Sequence, residues 1–208
     1  MYCLWQKEGI RLRRIYRGVW QYFKSNKKLC ALVILLVAEV IVYSIINIEA
    51  SDWYEGYVAE ARNVYPNDFA LIFVENTKTS LLTVAVGIVP FFLGCIMAVT
   101  QTVFGLAASF KYLMIEVPLT KIIVCIAPHG VFEITAMVLA VCISVILCKD
   151  LMKAVHGFAM HRENLFRGLG LAVVATVRAW LLVCAPLLLA GAVVEVTVST
   201  WIANVIMF

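Results

Sequence analysis

Seven residues stand out because an ionisable or helix-breaking side chain falls in an otherwise apolar stretch: Glu39, Pro128, His129, Gly130, Glu133, Arg178 and Glu195. A charge at the bilayer centre costs on the order of 2.5–3.5 kcal/mol on insertion scales, so such groups face a bundle interior and pair with one another. Arg178 among several carboxylates points to a buried ion pair or cluster, with Glu133 the preferred partner and Glu195 the second. Such a pair would clamp the fourth and fifth helices together. A proton or ion relay, or a partner- or ligand-binding role, would use the same groups differently.

His129 and Glu133 are four residues apart, so on a helix opening at Pro128 they share one face. Two ligands on one face suggest a metal. A closed site needs about four ligands, however, and an open one about three, so His-xxx-Glu alone is a weak signal. The plainer expectation is that Pro128, His129 and Gly130 shape a helix break and Glu133 reaches back or across. There is no HExxH, no GxSxG and no Asp inside any apolar stretch, so no catalytic, cofactor or metal site is expected. The seven cysteines include no CxxC pair and none lies in the acidic segment 49–78. They read as small core hydrophobes rather than as a disulfide framework or zinc site.

The elements that position these groups follow from composition. Of the 208 residues 63% are hydrophobic and 14% charged, against roughly 45–50% and 25% in an ordinary soluble domain. That excludes a soluble enzyme and a disordered chain. Residues 1–28 carry eight Lys or Arg and one acid, for a net +7; Glu49–Lys78 nets −4; residues 149–167 net +2. Lys and Arg are retained on the cytoplasmic side, so the first and third segments are expected inside and the acidic one outside. The reading is a multi-pass cell-membrane protein with its N-terminus cytoplasmic and its C-terminus external.

The expected fold is all-α, a polytopic helical bundle of about five transmembrane helices behind a basic N-terminal interfacial helix. Leu29–Ile48, at 1.5 Å per residue, matches a hydrocarbon core of roughly 30 Å, and it is longer than a signal peptide's apolar region. Ser80–Val99 is the second span. Thr102–Ala127, interrupted by Lys111, Glu116, Pro118 and Lys121, is a third, bent near Pro118. Gly130–Cys148 is the fourth and Leu169–Gly191 the fifth, while the tail from Ala192 either extends that helix or lies at the interface. Residues 29–208 thus form one transmembrane domain, with an external acidic loop at 49–78 and a cytoplasmic loop at 149–168.

In the first 28 residues Leu12, Ile15, Tyr16, Val19 and Phe23 recur at helical spacing, with Arg11, Arg14 and Arg17 largely elsewhere. This is the pattern of a basic helix on an anionic inner leaflet; the same charges also serve simply as an orientation signal. A nucleic-acid role does not fit beside a membrane span. Small residues such as Gly87, Gly94, Ala172, Ala175, Thr176 and Ala179 suit close helix packing in lipid.

The string Ala127-Pro128-His129-Gly130-Val131-Phe132-Glu133 resembles the PHGxxE signature of the stage II sporulation protein M (SpoIIM) family. Asn76, the Gly87–Gly94 stretch and Glu195 lie in the order that family shows. Thr135 stands where the family often has Pro, and Gln101–Gly105 replaces its Asn-Gly turn. The resemblance implies a five-span membrane protein with the PHG break toward the outside. It also implies partners: other membrane or envelope proteins, as in a scaffold recruiting peptidoglycan-degrading enzymes, or a separate ATP-binding cassette ATPase beside an export or bacteriocin-immunity subunit. The chain has no P-loop of its own.

Overall fold

The computed structural model describes residues 16–47, 68–89, 96–97, 100, 119–161 and 164–207, and every element among them is helical. Residues 16–25 form α1, and α2 (Lys27–Asn47) follows within two residues. The third helix, α3 (Phe69–Ala85), ends in a 3₁₀ turn at Val86–Ile88. The central helix is α4 (Leu119–His161). The last three run end to end as one rod: α5 (Leu165–Ala179), a π turn at Trp180–Cys184, α6 (Ala185–Val194), a π turn at Glu195–Ser199 and α7 (Thr200–Met207). Three stretches are long and apolar enough to cross a membrane: Phe69–Ile88, Ile126–Met160 and Leu165–Ile202.

Local chemistry sets several boundaries away from those expected. Asp68 caps α3 by accepting from the Ala70 amide at 2.8 Å, which satisfies one of the free donors of the first turn. The helix therefore begins at Phe69, eleven residues before the predicted Ser80 start, and takes the end of the presumed acidic loop with it. Asn164 caps α5 in the same manner, accepting from the Arg167 amide at 3.1 Å. The predicted loop 149–168 is correspondingly short, because residues 149–161 continue α4. Pro128 does not open a helix: it lies inside α4, where neighbouring helices can satisfy the carbonyl its missing N–H leaves free. Pro186 stands at the start of α6, just after the first π turn, where the widened turn takes up the lost hydrogen bond. The tail beyond Ala192 extends the rod through Met207. The bent third crossing expected at 102–127 falls outside the described residues up to position 118.

The middle of α4 is apolar all round and accordingly sits at the centre, since such a stretch is covered on every side. Residues 140–148 are all buried. Its Ala136, Ala140, Ile143 and Leu147 face Val84, Ala172, Ala179, Trp180, Cys184 and Leu188. Its Val141, Cys142, Val145 and Cys148 face Val33 and Val37 of α2. α2 thus lies on one side of α4 with Leu32, Leu35 and Leu36 exposed, as lipid-facing residues are.

The described part of the N-terminal helix packs one side onto the bundle. Val19 of α1 is buried, Tyr22 and Phe23 pack against the same core as α4, and their rings meet edge to face at 5.5 Å. Lys149 of α4 bonds Asn26 in the α1–α2 turn and pairs with Asp150 at 3.1 Å. Val19 and Phe23 of the predicted stripe therefore pack onto the bundle, while Tyr16 and Trp20 remain exposed. Leu12 and Ile15 lie outside the described residues.

Candidate functional site

Asn76 stands seven residues after Phe69, Glu133 seven after Ile126 and Glu195 seven before Ile202, so each is the same distance from the end of its candidate span. At 1.5 Å per residue that is about 10 Å along each apolar stretch. The packed helices bring these positions to one level. Asn76 Nδ2 of α3 donates to Glu133 Oε1 of α4 at 2.5 Å. A ring nitrogen of His129, a carboxylate oxygen of Glu133 and one of Glu195 all lie within 4.8 Å of one another, each side chain partly buried. His129 Nδ1 is 2.8 Å from Ser199 Oγ.

Backbone departures build the site from both sides. On α4 it begins one residue after Pro128. On the rod, Glu195 and Ser199 are the first and last residues of the second π turn, a widened turn that recurs at functional sites because it re-aims side chains. Gly191, one turn before Glu195, completes the wall: a Cβ there would come within 2.9 Å of Glu133 Cγ and 3.5 Å of Phe132 Cβ. Only a residue without a side chain lets the rod approach Glu133 this closely.

The expected pairing with Arg178 is not what holds Glu133. Buried Ala172, Thr176, Ala179 and Trp180 mark the inner face of α5 and the turn after it, whereas Arg178 is exposed. Two residues past Thr176, at about 100° per residue, it points to the opposite side. Among the described residues neither Glu133 nor Glu195 has a Lys or Arg partner. Glu39 is exposed on α2 and takes no part. His129, Glu133 and Glu195 are brought together, with Pro128 and Gly130 flanking His129 on the same helix; Arg178 and Glu39 are not in the cluster. Sequence reasoning missed Ser199 as a site residue and Asn76 as the partner of Glu133, although the place of Asn76 in the family order was a usable signal.

Chemically the cluster can share a proton between carboxylates, hold a cation with one imidazole and two carboxylates, or fix three helices through polar contacts. These features define an integral membrane helical bundle with an acid–imidazole cluster set in its apolar interior. The family model for stage II sporulation protein M matches residues 29–200. That span covers most of the chain, and the protein belongs to the SpoIIM family. No curated protein and no solved structure matches the chain at a significant level.

Proposed function

We propose that the protein is a non-enzymatic membrane scaffold for a cell-envelope complex, holding a partner of the peptidoglycan-remodelling kind. The observation that carries this reading is convergence. Asn76, His129, Glu133, Glu195 and Ser199 gather at one level and contact one another across three helices, as groups that fix helix positions do. A transport path needs ionisable groups strung through the bundle, and Arg178 and Glu39 face outward instead. The charge pattern supports a cytoplasmic N-terminus and an external cluster-bearing end, within reach of the cell wall.

The discriminating experiment is co-purification of Glu133→Gln with the envelope partner that the wild-type protein captures, alongside an activity readout. Partner capture and folded yield should fall together, with activity tracking both. Full assembly without activity would overturn the scaffold and favour the alternative, a membrane subunit working beside an ATP-binding cassette ATPase.

Orientation has its own test. In a background with all seven cysteines replaced, Tyr57→Cys should label from outside intact cells. His156→Cys, at an exposed position on the far end of α4, should label only after permeabilisation. The reverse pattern would invert the bundle.

A further inference from the structure

We propose that His129, Glu133 and Glu195 bind a divalent transition-metal ion, Zn²⁺ by the character of the donor set, and that the ion ties α4 to the π turn of the rod. The two carboxylates bring two negative charges into the apolar interior, and among the described residues no Lys or Arg answers them. Two carboxylates this close in such surroundings are relieved by a proton or a cation. One divalent ion with two carboxylates and a neutral imidazole makes a centre of zero net charge.

The geometry fits that occupant. Zn–N and Zn–O bonds of about 2.0–2.2 Å set tetrahedral ligand atoms about 3.4 Å apart. The three donors already lie within 4.8 Å of one another, so small side-chain rotations would close them on an ion. Ser199 Oγ lies 2.8 Å from His129 Nδ1; in the tautomer with the proton on Nδ1 it accepts that N–H and leaves the Nε2 lone pair for an ion, the arrangement that orients histidine ligands at metal centres. Asn76 does the same for Glu133 by donating to Oε1. A water or the Asn76 amide oxygen would complete the coordination.

The donor set narrows the metal. Imidazole with carboxylates suits Zn²⁺, Fe²⁺ or Mn²⁺; Ca²⁺ and Mg²⁺ favour all-oxygen sites and Cu⁺ favours sulfur. Cys142, Cys148 and Cys184 are buried in the two apolar clusters, away from this level. The ion would bridge two of the places where regular backbone hydrogen bonding is interrupted, Pro128 and the Glu195–Ser199 turn.

The test uses the full chain, purified in detergent through a tag free of histidine. Elemental analysis should find about one equivalent of transition metal, with chelation lowering the thermal midpoint and added Zn²⁺ restoring it. His129→Ala and Glu195→Gln should lose the metal and the Zn²⁺ response, while Glu39→Gln keeps both. Glu195→Gln preserves size and removes the charge, so its metal content can be read on folded, monodisperse protein. Wild-type protein without metal and with no Zn²⁺ effect on its midpoint would overturn the proposal in favour of a proton shared by the carboxylates. Equal metal in wild type and both ligand variants would overturn it as well. The readouts need no partner, so their failure leaves the scaffold reading standing.

Discussion

Replacing Trp180 by alanine is expected to destabilise the bundle by about 3–5 kcal/mol, the range for removing a large buried aromatic. Trp180 sits in the first π turn of the rod, 7% exposed, among Ala179, Cys184 and Leu188. Its indole Nε1 donates to Ser80 Oγ of α3 at 2.9 Å, and Ser80 is wholly buried. Alanine would leave a cavity and strip Ser80 of its donor. Trp180→Phe isolates the second effect, because most of the ring volume stays and the N–H goes; its cost should be about 1–3 kcal/mol. Ser80→Ala in the Trp180→Phe background should recover part of that loss, since removing both polar partners is nearly neutral. Thermal unfolding of the four proteins in one detergent measures the series. Failure of Ser80→Ala to help Trp180→Phe would remove the hydrogen bond from the account and leave shape alone.

Gly87→Ala should have a comparable effect from a single added methyl group. The Cβ would fall against the main-chain carbonyl oxygen of Ser144 and within 2.9 Å of its hydroxyl oxygen. A backbone obstacle cannot rotate away, so α3 and α4 must separate. Overpacking of this kind costs about 1–3 kcal/mol, occasionally more, and here the contact lies beside residues 140–148, the fully buried stretch of α4. Ser144→Ala should fail to rescue Gly87→Ala, because it removes the hydroxyl and leaves the carbonyl. Recovery of the wild-type unfolding midpoint in that double variant would show that the hydroxyl, and not the main chain, sets the approach.

The class of fold was legible because apolar length is a property of sequence alone: α3, α4 and the rod supply the three candidate spans. Boundaries were less so. Asp68 caps a helix that then runs through Glu75 and Lys78, an exposed pair 3.5 Å apart, and a charge count reads those residues as loop. At the site, the rule that a buried carboxylate seeks a cation pointed Glu133 to Arg178. A polar amide, Asn76, holds it instead. The stripe Ala172, Thr176, Ala179 would have set Arg178 on the outer face. Ser199 was hidden for a different reason, since its direction depends on the π turn and no 3.6-residue periodicity predicts where such a turn falls.

That turn has a consequence for how the site can be gained or lost. Removing one residue from an ordinary helix rotates everything beyond it by about 100°, and in a packed rod this scrambles every later contact. A π turn holds one residue more than an α turn needs. Deleting a single codon within Glu195–Ser199 would therefore let the hydrogen-bond ladder close as regular α-helix. The rod upstream would keep its packing, while Ser199 would move off His129. The Ser199 contact to His129 is thus separable in heredity from the bundle that carries it: one in-frame step would discard it, or a one-residue insertion create it, without the fold being built anew.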